Sequence, residues 1–229
     1  MISVVIPTFN AESTLGPVLA SLVPAVVHDV VREAIIVDGG STDETCLIAE
    51  AAGTTLIRAP KGRGSQLSVG AAIAKSDWLL FLHADTVLEH GWEEEAKTFM
   101  ERVQSGKRRD AAAAFSFALD DEGFMPRLIE SLVGIRCAVF ALPYGDQALL
   151  ISRHLYNRLG GFKPLPLMED VDLVRRLKRR ELVILNSTAT TSGERYREHG
   201  YMLRSLRNLF CLTLYYLRVP PRLLTRLYG

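Results

Sequence analysis

A chain of 229 residues with 48% hydrophobic content and a formal net charge of +1 is long enough to bury a sizeable core in one large domain. Its balanced charge excludes the global basic excess of a nucleic-acid binder, and its first residues lack the basic-then-apolar pattern of a signal peptide. Cys46, Cys137 and Cys211 match no metal-binding spacing and read as small buried hydrophobes of a reducing compartment, and no apolar run reaches the roughly 18 residues of a spanning helix, so a cytoplasmic protein is expected.

The β-branched run at residues 2–6 predicts a first strand, which Pro7 should end because it cannot donate to a ladder. Leu15, Val18, Leu19 and Leu22 then recur at helical spacing, with Pro17 tolerable only in a first turn. Residues 34–37 form a second buried strand that runs into Asp38-Gly39-Gly40-Ser41, and Ser41 to Glu44 reads as a capping box opening a helix closed by Gly53. A third strand at 54–58 completes a β-α-β-α start. In the next loop Gly62 and Gly64 allow close backbone approach to a ligand, while Lys61 and Arg63 bring positive charge. The loop is neither a P-loop nor a dinucleotide fingerprint, and a plain basic turn is an equally good reading.

After a short helix to Lys75 comes Trp78-Leu-Leu-Phe-Leu82, five apolar residues that read as a strand buried on both faces. It stops at His83-Ala84-Asp85. Ligands of open α/β sheets bind beyond the carboxyl ends of strands, so a carboxylate here suits a divalent cation holding a nucleotide diphosphate; a capping Asp is the alternative. Trp92, Ala96, Phe99, Met100 and Val103 form one apolar helical face, with Glu93, Glu94 and Glu95 in the first turn. Residues 111–119 form a strand, and the acidic turn 120–123 reads as solubilising. Residues 127–142 make a long apolar segment that either covers the sheet or forms an acceptor-side lid.

A polar break at 143–147 follows, then a strand at 148–151 and a turn at 160–164. Met168-Glu169-Asp170 opens a helix with Leu173, Val174 and Leu177 inward and Arg175, Arg176, Lys178, Arg179 and Arg180 in water. From Arg195 on, seven arginines and the single acid Glu198 are interleaved with leucines and aromatics. This predicts a basic amphipathic helix, either packed on the sheet with its arginines exposed or also touching an anionic membrane surface.

Six pieces in order carry a resemblance: Val-Val-Ile-Pro-Thr-Phe-Asn10, Ile-Val-Asp-Gly-Gly-Ser-Thr-Asp43, Lys-Gly-Arg-Gly-Ser-Gln66, Leu-His-Ala-Asp85, Pro-Tyr-Gly-Asp-Gln147 and Met-Glu-Asp170. The set resembles the family 2 glycosyltransferases, and within them a bacterial branch of small single-domain enzymes. The resemblance implies an α/β A-type glycosyltransferase fold: a Rossmann-like, mostly parallel sheet flanked by helices, here with the C-terminal basic amphipathic helix. One domain over 1–229 is expected, with a nucleotide-sugar-binding half at 1–118, an acceptor and catalytic half at 119–190 and a helical extension at 191–229.

By the same resemblance, Pro7, Thr8, Asn10 and Glu12 line the nucleotide pocket, and Asp38 contacts base or ribose beside Gly39 and Ser41. Gly62, Arg63 and Gln66 flank the nucleoside and diphosphate. His83 and Ala84 join the nucleotide site, and Asp85 becomes the carboxylate for Mg²⁺ or Mn²⁺. His83 stands where the family's usual motif begins with Asp, which leaves the metal fewer protein oxygens and implies nucleotide-assisted binding. Tyr144, Gly145, Asp146 and Gln147 are expected at the donor sugar or acceptor. Asp170 matches the family's base, with Glu169 positioning it. His199 is a further candidate near the diphosphate.

The implied activity is inverting transfer of a sugar, from a UDP-sugar by family weighting, to an acceptor hydroxyl. The implied partners are that donor and an acceptor of unknown identity, with a lipid or membrane-proximal one hinted at by the apolar 128–142 segment and the basic tail. Peripheral contact at the inner face of the cell membrane would go through that tail. The alternatives are a non-catalytic nucleotide-sugar-binding protein and a sugar-nucleotide pyrophosphorylase-like nucleotidyltransferase. The latter lacks support in this chain, because no Gly-rich, Arg-containing loop follows the first strand.

Overall fold

The computed structural model describes residues 1–221, Leu223 and Leu224, except for the side chains of Phe140, Arg195, Glu198 and His199 and the surroundings of Gly145. The N-terminal part alternates regularly: β1 (Ile2–Thr8), α1 (Glu12–Val27), β2 (Val31–Asp38), α2 (Thr45–Ala51), β3 (Thr55–Arg58), α3 (Arg63–Ile73) and β4 (Trp78–Phe81). Then come β5 (Thr86–Leu88), α4 (Trp92–Gln104), β6 (Ala112–Asp120), α5 (Phe124–Phe140), β7 (Leu149–Ser152) and α6 (Arg153–Arg158). The chain continues through α7 (Glu169–Val174), β8 (Leu182–Ser192), α8 (Glu194–His199) and α9 (Tyr201–Tyr216).

Among the described residues the eight strands join one sheet in the order β3-β2-β1-β4-β7-β6-β8-β5. The β3-β2-β1-β4 part is parallel, β7 runs antiparallel to β4 and β6, and β8 returns parallel to β6. The central position of β4 follows from its composition. Trp78, Leu80 and Leu82 enter the core on the α1 and α4 face, while Leu79 and Phe81 enter the opposite core with Leu67 and Ala71 of α3. Successive strand residues point to opposite faces, so a continuous apolar run is what a strand covered on both sides requires. α3 lies close because Gly70 has no side chain: a Cβ there would be 3.0 Å from Val37 Cγ2 and would overlap Val5 Cγ1.

Several local expectations are corrected. β1 does not stop at Pro7 but pairs with β2 through Thr8↔Asp38. Its pairing with β4 ends at Val5↔Phe81, so the missing Pro7 N–H falls on the side where the ladder has already finished. Pro17 and Pro24 both lie inside α1, past its first turn; the carbonyls they deprive of a donor belong to Ser13 and Ala20, on the exposed face. The Ser41–Glu44 capping box does not form. Ser41 Oγ bonds Asp38, and Asp43 Oδ1 accepts from Thr45 N and Oγ1 at 3.1 and 2.6 Å.

The acidic turn does more than solubilise, because Asp121 accepts hydrogen bonds from Tyr201 Oη and from Arg197 at 3.2 Å, fastening α8 and α9 to the end of β6. Arg176 is not a solvated cation: it donates to the Leu159 and Gly161 carbonyls and pairs with Asp172 at 2.7 Å. The tail forms the amphipathic helix α9, with Leu212 and Leu214 packed inward and Arg218 exposed, but one part departs from the packed arrangement expected. Arg204 is buried, while Met202, Leu203, Leu206, Leu209 and Phe210 are exposed. Among the described residues no helix is long and apolar enough to cross a membrane. Cys137 and Cys211 are buried and Cys46 half-buried, all three as free thiols.

Candidate active site

The carboxyl ends of β1, β2 and β4 open on one side, and there the chain builds two adjoining cavities. The first, about 290 Å³, is lined by Pro7 and Thr8 at the end of β1 and Asn10 and Ala11 after it, by Arg63 and Gln66 of α3, and by His83, Ala84 and Asp85 after β4. Ser192 at the end of β8 and Glu194 close its far wall. Of the residues expected at the nucleotide, Pro7, Thr8, Asn10, Arg63, Gln66, His83 and Ala84 line this cavity, from three separate stretches of sequence, whereas Glu12, Asp38, Gly39, Ser41 and Gly62 do not.

Its floor is a hydrogen-bonded network. Asp38 is fully buried and accepts from Gly40 N and Ser41 N, both at 2.9 Å, from Ser41 Oγ, and from Thr8 Oγ1 at 3.2 Å. Burial alone would raise the Asp38 pKa, but the Ser41, Gly40 and Thr8 bonds outweigh it and hold the carboxyl below its ordinary value. Asn10, in the left-handed region at φ 50°, clamps the two loops: its N–H donates to Ser41 Oγ at 2.8 Å and its Oδ1 accepts from Thr42 N at 2.9 Å. Glu12 completes the clamp, accepting from Glu44 N at 3.0 Å. Gln66 is buried too, and its Nε2 donates to the Thr8 and Val37 carbonyls at 2.8 and 2.7 Å while its Oε1 accepts from Gly62 N at 3.2 Å. Asp38, Gly39 and Gln66 thus set the shape of the floor, with Asp38 and Gln66 using their polar atoms on the protein itself.

The basic loop is also reassigned. Arg63 is the first residue of α3. Gly62 has φ +148°, which L side chains rarely adopt, while a Cβ on Gly64 would overlap the Lys163 carbonyl and lie 2.9 Å from Leu165 N. Gly64 is therefore small for the sake of the 163–165 segment, not of a ligand. Lys61 reaches back over the Phe9 ring at 3.4 Å.

The second cavity, about 110 Å³, shares Arg63, His83, Asp85 and Ser192 with the first and adds Tyr144, Asp146, Met168, Asp170 and Thr191. Met168, held at φ 63°, is a left-handed non-glycine residue, a conformation that costs about 1–2 kcal/mol. This bend sends Glu169 into the protein and leaves Asp170 lining the cavity. Glu169 is fully buried with its Oε1 3.1 Å from Arg63 Nε. Burial raises its pKa to about 7 against the opposing pull of Arg63. Asp170 Oδ1 accepts from its neighbour Val171 N at 2.7 Å.

Asp146 sits across the cavity in a short 3₁₀ turn (Gly145–Gln147), with its Oδ1 buried and without a hydrogen-bond partner among the described residues. Burial lifts its pKa to about 6, with Arg136 pulling down and Asp170 and Asp85 pushing up. Tyr144 is pushed up to about 12, first by burial; Arg136 stacks 3.5 Å from its ring centroid. Gln147 is corrected: it is buried behind the cavity, donating to the Phe115 carbonyl and accepting from Arg136, both at 3.0 Å. The side chain of His199 lies outside the described residues.

Sequence reasoning missed the wall formed by Thr191, Ser192, Tyr196, Arg204 and Asn208. Arg204 is only 8% exposed, 5.2 Å from the Tyr196 ring, and its Nε has no hydrogen-bond partner among the described residues. Its only sequence signal was periodicity: Arg204, Asn208 and Cys211 share the helix face opposite the exposed leucines.

Among the described residues no group of three or more His, Cys, Asp or Glu side chains converges to hold a metal ion alone. Asp85 nevertheless lies where the two cavities meet, with carboxylates of Asp146 and Asp170 lining the same space. A single carboxylate at that junction fits a hard divalent cation whose coordination is completed by oxygens of a bound diphosphate.

The fold and sequence have known counterparts. Glucosyl-3-phosphoglycerate synthase from Mycobacterium tuberculosis, solved in complex with Mn²⁺, uridine diphosphate and glucosyl-3-phosphoglycerate, superposes with a TM-score of 0.59 at 23% identity, over 83% of this chain and 71% of that one. TarS of S. aureus gives 0.60 at 18% identity, over 92% of this chain and 39% of that one. These likenesses establish the A-type glycosyltransferase fold. Among curated relatives, glucosyl-3-phosphoglycerate synthase of Mycolicibacterium paratuberculosis is 34% identical over 98 residues, covering 39% of this chain and 30% of that protein. A PGL/p-HBAD biosynthesis glycosyltransferase of Mycobacterium bovis is 38% identical over 95 residues, covering 38% and 36%. The chain thus spans about a third of the length of the curated relatives it matches. The model of glycosyl transferase family 2 matches residues 3–133, more than half of the chain, and the protein belongs to that family.

Proposed function

We propose that this protein transfers a sugar from a UDP-sugar to an acceptor hydroxyl with inversion at the anomeric carbon. One observation carries the reading. A cavity at the carboxyl ends of β1 and β4 meets, at Arg63, His83 and Asp85, a second cavity that Asp170 lines. A nucleoside in the first would place its diphosphate at the junction and its sugar in the second. The neighbouring synthase solved with Mn²⁺ and uridine diphosphate supports uridine as the base and a divalent cation at Asp85. When bound, that cation neutralises diphosphate charge.

The chain's own residues supply the rest. Asp170 accepts the proton of the acceptor hydroxyl as its oxygen forms the new bond to the anomeric carbon. The bond from that carbon to the diphosphate oxygen breaks, and its electron pair leaves with the diphosphate toward Arg63 and Arg204. Buried Glu169, ion-paired to Arg63, fixes the guanidinium and the start of α7. Asp146 and Tyr144 line the sugar's side of the cavity.

Calorimetric titration with UDP, GDP, dTDP and CDP, each with and without Mn²⁺, tests the reading. Mn²⁺-dependent binding of UDP, weakened at least tenfold in Asp85→Ala, is expected. No binding of any diphosphate would sink it.

A further inference from the structure

A third cavity, about 690 Å³, lies between α5 and α9. Its walls are apolar: Leu128, Ile129 and Leu132 from α5 face Leu206, Leu209 and Leu212 from α9. A helix of 17 residues such as α5 is about 25 Å long, so the groove is extended rather than a dimple. Two packed helices would ordinarily bury such side chains against each other. Here Leu132, Leu206 and Leu209 remain 54%, 58% and 59% exposed. Apolar surface of that extent marks an interaction site.

The groove's position identifies its occupant. Tyr144, Asp146, Tyr196 and Asn208 line both it and the cavity of Asp85 and Asp170. The groove is therefore open to the reaction centre and polar where they join, with an apolar run leading away. A ligand matching that gradient carries a hydroxyl at one end and a long apolar body behind it. Resting on the transferase reading above, we propose that the acceptor is an amphiphile of this kind: a long-chain alcohol or lipid whose apolar body lies between α5 and α9 and whose hydroxyl reaches Asp170.

The probe is dodecanol labelled with the fluorophore NBD at the end remote from its hydroxyl, competed with unlabelled hexanol, octanol and decanol, in the full chain with Mn²⁺ and UDP. Saturable binding is expected, with competitor affinity rising roughly fourfold per added methylene, because each buried CH₂ contributes about 0.8 kcal/mol. Leu132→Gln and Leu209→Gln should each weaken the probe at least tenfold and leave UDP affinity within twofold. Leu47→Gln, on exposed α2, should change neither.

UDP binding without probe binding, or probe binding indifferent to both groove variants, would overturn the proposal. So would a concentration-dependent dimer in sedimentation that both variants abolish while the monomer ignores the probe; the groove would then join two copies. Binding to anionic vesicles with no binding of the monomeric probe would make it a membrane face instead. Probe binding in a chain that binds no nucleotide would instead sink the transferase reading, and with it the acceptor assignment.

Discussion

The donor end and the acceptor end of the cleft are built on opposite principles. At the donor end the polar groups satisfy one another: Asp38 accepts from three residues, Asn10 and Glu12 tie the loop after β1 to the loop after β2, and Gln66 closes the floor. At the acceptor end, which in the proposed reaction also receives the sugar and the departing diphosphate, Asp146 Oδ1, Arg204 Nε and Asn208 Oδ1 are buried without hydrogen-bond partners among the described residues. Leaving such an atom unsatisfied costs about 1–3 kcal/mol. A self-satisfied floor holds its shape before any ligand arrives, whereas unsatisfied groups gain most when one does. The first arrangement suits the nucleotide end of the proposed reaction, the second the end that must capture the acceptor.

The largest expected effect lies at the acceptor end. Asp170→Asn keeps the shape of the cavity but removes the proposed proton acceptor, so turnover should fall at least about 10²-fold. UDP affinity should stay within about twofold, because the nucleotide cavity does not include Asp170. A non-catalytic binding protein would show no turnover to lose, and unchanged turnover would refute the role of Asp170. Steady-state kinetics beside calorimetry separates these outcomes.

The donor floor predicts a stability effect in place of a chemical one. Asp38→Ala orphans the buried hydroxyl of Thr8 and the N–H groups of Gly40 and Ser41, and should cost roughly 2–3 kcal/mol in urea unfolding. Asn208→Ala at the acceptor end removes an atom that was already unsatisfied and should stay within about 0.5 kcal/mol. Equal costs at the two positions would erase the contrast between the ends.

That contrast also explains what could be read from sequence. The donor end is made of short contiguous pieces beside β-branched or apolar strands, so His83 and Asp85 are legible from where β4 stops, while Pro7, Asn10 and Asp38 are reached through the motifs that carry the resemblance. β4 was legible because an apolar run buried on both faces has few other readings. The acceptor wall was not. β8 carries Thr188, Thr190, Thr191 and Ser192, a polar sequence whose pairing with β6 and β5 no local pattern announces. In the tail, arginines among leucines suggest cations in water, but the fold buries Arg204 and exposes Leu203, Leu206 and Leu209, while Leu212 and Leu214 pack inward. Which face of an amphipathic helix turns inward is settled by what it meets, here the polar wall of the cleft. Gln147 and Gly64 were misjudged for a related reason: motif residues can serve the scaffold as readily as the ligand.

The smallest effect concerns the buried pair that links the two ends. Glu169 has its pKa raised to about 7, first by burial and against the pull of Arg63. In the unfolded chain it would titrate near 4.5. Below pH 4.5 it is neutral in both states and has no net effect on the pH dependence. Between about pH 4.5 and 7 the unfolded state ionises while the folded state keeps its proton, so stability is lost as pH rises, and above pH 7 the loss is complete. Glu169→Gln cannot ionise. The stability of the natural chain relative to this variant should therefore fall by on the order of 1 kcal/mol between pH 5 and 8, read from urea midpoints at each pH. The opposite slope would mean that Arg63 outweighs burial and that Glu169 is a charged partner throughout. In that case Arg63 would be held neutralised at every pH. With the slope as predicted, protonation of Glu169 frees the guanidinium's charge for the diphosphate, and UDP should bind more tightly at pH 6 than at pH 8 in the natural chain but not in Glu169→Gln.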